Sequence, residues 1–455
     1  MKPHIFREYD IRGVVPGELN GETAHDLGLA MGTYYRDRGA WRISVGHDCR
    51  LSSPDLSQGL IEGLMECGVQ VVDLGMVPTP LLYFSLHHLE TDGGVQITGS
   101  HNPPEFNGFK ICSGKATIYG EEIQKIRKVS ETGQFISGKG ALDKADVNDP
   151  YLRYLEGNIE PGPFKKRVVV DAGNGAGGPV AVEIYKRLGF EVFPLFCEPD
   201  GSFPNHHPDP TIPENLETMT SKVRDVSADL GIAFDGDADR IGVVDSEGNI
   251  IWGDQLMIIF SRDMLSRHAG AKIIGEVKCS KVLYDDIEKH GGNGIMWKAG
   301  HSLIKSKMKE EGALLGGEMS GHIFFAERYF GFDDAVYAGA RLLEILSRNE
   351  KTLKEILADV PKMANTPEIR IDCPDDRKFD IVAELAEEFK KDYDVIDVDG
   401  ARVLFDGGWG LIRSSNTQPV LVLRFEATDE KRLEEIRQIF MGKLAKKLQD
   451  KTGLN

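Results

Sequence analysis

Thr98-Gly99-Ser100-His101-Asn102-Pro103-Pro104 places a hydroxyl where it can act as a nucleophile. The motif follows the alternating run Gly94-Val95-Gln96-Ile97, so Ser100 is expected in a tight turn at the end of a strand. The proline pair stops sheet pairing and fixes the direction of exit. A serine so presented needs an activating group and something to stabilise the charge that develops. The second motif offers that stabilisation. In Ala233-Phe234-Asp235-Gly236-Asp237-Ala238-Asp239-Arg240 three carboxylates alternate along the chain after another apolar run. They repel one another unless a hard cation gathers them, and an oxygen-only set that leaves room for phosphate suits Mg²⁺. Arg240 beside them is a natural phosphate clamp. A calcium loop begins the same way, but its sixth position would be Gly and is Arg240, and its twelfth would be Glu and is Ser246. A solvated acidic turn is the plainer alternative, and Arg240 argues against it.

Two further loops carry polar groups at usable spacing. Gly316-Gly317-Glu318-Met319-Ser320-Gly321-His322 holds a carboxylate and a hydroxyl two residues apart, able to bond adjacent hydroxyls of a sugar. Its alternative is a glycine-rich connection. Arg413-Ser414-Ser415-Asn416-Thr417-Gln418-Pro419 offers a guanidinium, hydroxyls, an amide and turn N–H groups, which together make a phosphate cradle. An ordinary polar hairpin is the competing reading there, and Arg413 tips the balance. Tyr9 and Arg12 (in Tyr9-Asp10-Ile11-Arg12-Gly13), Lys110, Lys278 and His301 are weaker signals, each alone a typical solvated group. They count as a set.

One motif points elsewhere. Gly173-Asn174-Gly175-Ala176-Gly177-Gly178 fits the dinucleotide fingerprint, follows a predicted strand and has Glu198 twenty residues after Gly178. Alone it would suggest an oxidoreductase. A tight turn packing helix on sheet is the alternative, and the other motifs favour phosphate chemistry.

The elements that must position these groups repeat. A strand at 42–46, a helix at 54–67, a strand at 69–74 and a later strand lead to Ser100. The same order recurs at 167–171, 178–188 and 191–196, ending at Asp235, and again at 272–277, 280–290 and 294–297, ending at Glu318. Such spacing predicts right-handed crossovers and mainly parallel sheets, with ligands bound beyond the carboxyl ends of the strands. The last segment differs: strands near 369–371, 395, 403, 411 and 420–425, with helices at 379–391 and 430–448, form a smaller α+β unit. Breaks near Pro150, 248–253 and 361–367 divide the chain into 1–146, 147–249, 250–361 and 362–455.

Composition bounds the partners. The chain has 455 residues, 41% hydrophobic and 28% charged, which predicts a soluble protein of several domains. A net charge of −18 opposes nucleic acid and anionic membrane surfaces, so an anionic substrate requires a local basic cluster. Six scattered cysteines without a Cys-x-x-Cys pair fit free thiols in a reducing compartment. With no apolar leader and no span of membrane length, the expected location is cytoplasmic.

In this order, Thr-Gly-Ser-His-Asn-Pro, Asp-Gly-Asp-Ala-Asp-Arg, Gly-Glu-Met-Ser-Gly-His and Arg-Ser-Ser-Asn-Thr-Gln-Pro resemble the α-D-phosphohexomutase family over effectively the whole chain. The resemblance implies an α/β fold: three topologically similar α/β domains with mainly parallel mixed sheets, plus a smaller C-terminal α+β domain, around a central cleft. It implies a phosphoserine at Ser100, Mg²⁺ held with Asp235, Asp237 and Asp239, and transfer between C1 and C6 of a hexose phosphate through a glucose or mannose 1,6-bisphosphate. Glu318 and Ser320 would hold sugar hydroxyls, and Arg413, Ser415, Asn416 and Thr417 the distal phosphate, with Tyr9, Lys278 and His301 also on the substrate. His101, Lys110, Arg240, Arg12 and His322 would stabilise or shuttle protons at the transferring group.

Met319 resembles the phosphomannomutase/phosphoglucomutase branch, where a glutamine would indicate phosphoglucosamine mutase. The protein is expected as a monomer or homodimer. His47 stands where many members carry Arg, and Gly99 where others carry Ala; the first difference alters a charge near Ser100. A phosphatase-like aspartyl mutase would want Thr or Val where Asp239 stands, and a non-catalytic sugar-phosphate sensor would not need Ser100.

Overall fold

The structure, a computed structural model, describes residues 1–415 and 418–450. Four sheets follow one another along the chain. The first contains β1 (Ile11–Val14), β2 (Arg42–His47), β3 (Gln70–Met76), β4 (Gly93–Ile97), β5 (Phe106–Ser113), β6 (Ala116–Thr117) and β7 (Ala141–Lys144), in the order β1-β5-β4-β2-β3-β7 with β6 beside β5. The second contains β8 (Arg167–Asp171), β9 (Glu191–Leu195), β10 (Leu230–Phe234), β11 (Ile241–Asp245) and β12 (Ile250–Ile251), ordered β12-β11-β10-β8-β9. The third orders β13 (Lys272–Glu276), β14 (Asn293–Trp297), β15 (Leu315–Gly317) and β16 (Ile323–Phe325) as β14-β13-β15-β16. The fourth, of β17 (Ala364–Asn365), β18 (Ile369–Asp372), β19 (Asp394–Ile396), β20 (Ala401–Phe405), β21 (Gly408–Ser414) and β22 (Val420–Ala427), is antiparallel throughout.

Central parallel strands are buried on both faces, which is why β4 and β10 are buried along their whole length. In each of the first three sheets a parallel strand runs into a loop and returns as an antiparallel neighbour: β4 to β5, β10 to β11, β15 to β16. The three polar motifs are these hairpin loops. The return strands were not expected from sequence. In β5 the run Asn107-Gly108-Phe109-Lys110 breaks the apolar alternation, although all four residues are buried.

One position needs correction. Arg413 belongs to β21, paired with Val422, and not to the turn that follows. Pro150 lies in the first turn of the helix Asn148–Asn158, where its missing N–H costs nothing.

One apolar core runs through the first three units, from Leu81 and Phe84 through Tyr151, Ile184 and Ile232 to the helix Ala335–Ser347. The fourth unit has its own, in which Ile381, Leu385, Ile436 and Phe440 of two helices meet Val403, Ile412 and Phe425. Alternation along β21 sends Ile412 to that core and Trp409 and Leu411 to the opposite face, against Val277.

Candidate active site

Ser100 is held in a left-handed conformation, φ 49°, at the tip of the β4–β5 loop, and is buried. For a non-glycine residue that conformation costs roughly 1 kcal/mol, so the surroundings must impose it. Asp48 and Arg50 do so. Asp48 accepts Thr98 Oγ1 (2.8 Å) and the Gly99 N–H (3.2 Å) on one oxygen, and the Arg50 N–H (2.9 Å) and Ser53 Oγ (2.6 Å) on the other. The buried Arg50 guanidinium donates to the carbonyls of Ser100 (2.7 Å), Asn102 (2.6 Å), Pro103 (2.7 Å) and Phe106 (2.9 Å). A Cβ on Gly99 would lie 2.5 Å from this guanidinium, which accounts for glycine there. His47 directs its Nδ1 to the Asp48 carbonyl at 2.8 Å.

Ser100 Oγ donates to Asp235 Oδ2 at 2.6 Å and lies 3.0 Å from His101 Nδ1. Asp235, Asp237 and Asp239 are fully buried. Lys110 Nζ reaches Asp237 Oδ2 (2.7 Å) and also bonds Asp239, while Thr79 Oγ1 donates to Asp237 (2.5 Å). The backbone N–H groups of Asp239 and Arg240 turn back onto Asp235 Oδ1 at 3.1 and 3.2 Å. Burial, reinforced by Asp237 and Asp239, holds the Asp235 carboxyl well above its ordinary range. Burial also pushes Asp237 up, but Lys110 and its hydrogen bonds more than offset this and leave it low. Asp237 Oδ1 and Asp239 Oδ1 are buried without hydrogen-bond partners, and one oxygen from each aspartate falls within 4.8 Å of the others. An all-oxygen set with two unsatisfied acceptors fits a hard divalent cation.

Arg240 Nε donates to His322 Nε2 at 3.0 Å, which places the His322 proton on Nδ1. That Nδ1 lies 3.1 Å from Asp333 Oδ2, with His301 Nδ1 3.5 Å from the same oxygen and Lys305 Nζ 2.8 Å from the other. The two imidazoles stack at 5.5 Å. Burial keeps His101 and His301 well below the usual histidine range, so both are neutral at pH 7.

On the other side of the site, Glu318 Oε1 accepts the Gly300 N–H at 2.7 Å. Tyr9 OH donates to the Ala299 carbonyl (3.2 Å), and its ring stands edge-on to His301. Asp399 Oδ2 accepts both Arg413 Nε (2.9 Å) and the Ala299 N–H (3.1 Å), joining the fourth unit to the third. Lys278 lies 3.5 Å from Glu276 and 3.3 Å from Glu368.

Profiles of the phosphoglucomutase/phosphomannomutase domains match in order: α/β/α domain I at residues 3–137, domain II at 149–248, domain III at 252–363 and the C-terminal domain at 368–443. The chain belongs to the phosphoglucomutase/phosphomannomutase family. It is 49% identical to a phosphomannomutase/phosphoglucomutase of Pseudomonas aeruginosa over 97% of this chain and 95% of that one. It is 46% identical to a phosphoglucomutase of Neisseria gonorrhoeae over 96% and 95%. A crystal structure of a phosphoglucomutase/phosphomannomutase family protein from Burkholderia thailandensis superposes with a TM-score of 0.94 at 43% identity, covering 100% of this chain and 99% of that one.

Within this phosphohexomutase fold, Ser100, His101, Lys110, the three aspartates, Arg240, His301 and His322 fall in one cluster, in which His101, Arg240 and His301 are half-buried and the others buried. Arg12 pairs with Asp10 on β1, opposite Gly108 of the strand that carries Lys110. Glu318, Lys278, Arg413 and Tyr9 gather beside it. Ser320 is half-buried and makes no hydrogen bond among the described residues. Ser415 Oγ accepts the Gln418 N–H at 3.1 Å, and Asn416 and Thr417 lie outside the described residues.

The dinucleotide reading is overturned. The N–H groups of Asn174, Gly175 and Ala176 go to the carbonyls of Phe196 (2.7 Å), Ala172 (2.7 Å) and Gly236 (3.0 Å). A Cβ on Gly175 would lie 2.7 Å from the Gly236 carbonyl. The loop braces the aspartate turn and spends these three N–H groups on its own framework.

Sequence reasoning missed Asp333, Thr79, Asp48, Asp399 and Glu276. Asp48 and Arg50 stood in Val45-Gly46-His47-Asp48-Cys49-Arg50 as a signal of sorts. Nothing local marked the others. No helix among the described residues is long and apolar enough to cross a membrane.

Proposed function

We propose that this enzyme moves phosphate reversibly between C1 and C6 of glucose and mannose phosphates, with Ser100 as the carrier. Its phosphate passes to the free hydroxyl of the hexose monophosphate. The Ser100 O–P bond breaks, a sugar O–P bond forms, and the hydroxyl proton passes by way of His101 or His322 to the Ser100 oxygen left behind. The product is a 1,6-bisphosphate. After that sugar turns over, Ser100 Oγ takes the other phosphate, and the proton returns to the sugar oxygen left behind.

Asp235, Asp237 and Asp239 would hold Mg²⁺, which when bound neutralises phosphate oxygens. Arg240, Lys110 and Arg12 supply fixed positive charge around the transferring group, and such preorganised charge is the main catalytic demand of phosphoryl transfer. Glu318 and Ser320 would take the sugar hydroxyls common to both hexoses. Arg413 with Ser415, Asn416 and Thr417 would take the distal phosphate, assisted by Lys278, His301 and Tyr9. In this reading the units 1–146, 147–249, 250–361 and 362–455 contribute the carrier, the metal, the sugar contacts and the phosphate clamp in turn.

The observation that carries the reading is the buried 2.6 Å bond from Ser100 Oγ to Asp235, beside an acidic set balanced by Lys110. Parallel mutase assays with mannose 1-phosphate, glucose 1-phosphate and glucosamine 1-phosphate test it. The first two are expected to turn over with similar efficiency. A preference for the amino sugar beyond about a hundredfold, ~2.7 kcal/mol, would make the protein a phosphoglucosamine mutase instead.

A further inference from the structure

Glu276 ends β13, the strand that lies between β14 and β15 and so points at the base of the Glu318–Ser320 loop. It is fully buried, 0% exposed. Its backbone is anchored by the Tyr284 hydroxyl, which donates to the Glu276 carbonyl at 2.9 Å. Its side chain makes two connections. Oε1 accepts the backbone N–H of Met319 at 3.1 Å, the residue between the two proposed sugar contacts. The same oxygen lies 3.5 Å from Lys278 Nζ, whose other carboxylate neighbour, Glu368, comes from the C-terminal unit at 3.3 Å. Oε2 is buried with no hydrogen-bond partner.

A buried carboxylate with one oxygen unsatisfied is expensive, about 1–3 kcal/mol or more. Packing alone would be better served by an apolar side chain. What the carboxylate provides is orientation. One oxygen sets the height of the loop through its middle N–H and also fixes the ammonium that would meet the substrate phosphate.

We propose that Glu276 is a positioning residue for hexose phosphate recognition: it sets the register of Glu318 and Ser320 through the Met319 N–H and holds Lys278 at the same time. This rests on the substrate roles proposed above for Glu318, Ser320 and Lys278. When a sugar phosphate arrives, Lys278 exchanges part of its pairing with Glu276 for the phosphate, while the Met319 bond keeps the hydroxyl-binding groups in place. Loop and ammonium therefore respond together to one side chain.

The test compares Glu276→Ala and Glu276→Gln with the parent. Glutamine keeps an oxygen for the Met319 N–H and loses only the charge. Kinetics with glucose 1-phosphate and mannose 1-phosphate are paired with calorimetric binding of glucose 1-phosphate in a Ser100→Ala background, which reads affinity without turnover. The expected result is a rise of about tenfold or more in KM and Kd for the alanine variant, with kcat within about threefold. The glutamine variant should recover the part of that loss that comes from the loop and stay about two- to threefold above the parent in Kd and KM, the part that comes from the lost charge beside Lys278. A merely structural residue would lower Tm and the active fraction, hence kcat, and leave Kd of the folded protein unchanged. If the alanine variant does not fold, the glutamine variant decides: Kd and KM identical to the parent would show that Lys278 needs no charge partner and overturn the coupling. Alanine and parent alike within twofold in Kd and KM, while the parent is active, would overturn the inference alone. A parent inactive on all three sugar phosphates would overturn the functional reading and this inference with it.

Discussion

Arg402 stacks on Trp409 with its guanidinium carbon 3.7 Å from the ring centroid, and from that position it grips the carbonyls of Val277 (2.6 Å) and Cys279 (2.7 Å), on either side of Lys278. Arg424 takes the Lys278 carbonyl between them. Three successive carbonyls of the third unit are thus held by two arginines of the fourth. Arg402→Ala would leave two buried acceptors unpaired, a loss of roughly 2–4 kcal/mol at the junction. The expected outcome is a higher KM for glucose 1-phosphate and faster cleavage by a protease between residues 361 and 367. Unchanged proteolysis and KM would mean that Trp409 and Leu411 suffice to dock the unit.

Ser100 should carry phosphate, and peptide mass spectrometry of the purified protein should find it there. Ser100→Ala is expected to remove that phosphate and at least 99% of turnover, a barrier increase of about 2.7 kcal/mol or more. Stable phosphate on Asp235 would contradict the serine route.

Chelation should stop turnover and Mg²⁺ should restore it, because Lys110 and Arg240 must otherwise balance three buried aspartates and an incoming phosphate. Full activity in chelator-treated, metal-free protein would refute the cation's place in the site.

The loop around Ser100 depends on a planar fork reaching four carbonyls, which lysine cannot imitate. Arg50→Lys is therefore expected to destabilise the protein by roughly 2–3 kcal/mol and to reduce kcat more than KM. Thermal unfolding and steady-state kinetics check both. Gly99→Ala should act in the same direction by pressing on the guanidinium.

Asp334, the neighbour of Asp333, gives a pH signature in stability. It caps the helix Ala335–Ser347 through the Tyr337 N–H (2.8 Å) and accepts the hydroxyls of Tyr329 (2.6 Å) and Tyr151 (2.9 Å). Burial nevertheless pushes its carboxyl up from 3.8 to about 6. Between those values the folded state keeps a proton that the unfolded state has lost, so this group's contribution falls as pH rises through the window and is level above it. Asp334→Asn keeps a capping oxygen without the charge. It should gain stability over the parent at pH 7.5 and lose that advantage near pH 4.5, as urea unfolding at the two values would show. A constant difference would show that Asp334 does not titrate in that window.

Much of this architecture was legible because central strands such as Val168-Val169-Val170 announce themselves, and because Ser100 and the aspartates sit where such strands end. The return strands were harder. Lys110 looked like a lone surface cation, and only the pairing of β5 with β4 turns it inward to the aspartates. Asp333 and Thr79 belong to the site through contacts spanning tens to more than a hundred residues, and no local spacing encodes those. The glycine run at 173–178 is the opposite case: its local pattern matches a cofactor loop, and only the approach of Gly236 shows what the loop packs against.

The division of the apolar interior described above bears on how the molecule fails. The first three units are expected to melt together, because each exposes the shared interior on leaving it, whereas the fourth, whose core is separate, can lose its footing by itself. On warming, the grip on the distal phosphate should therefore be lost first, while Ser100 and its aspartates stay assembled. A gently heated sample would still hold its phosphate and no longer bind sugar, so loss of activity would precede loss of the chemical centre and reverse on cooling.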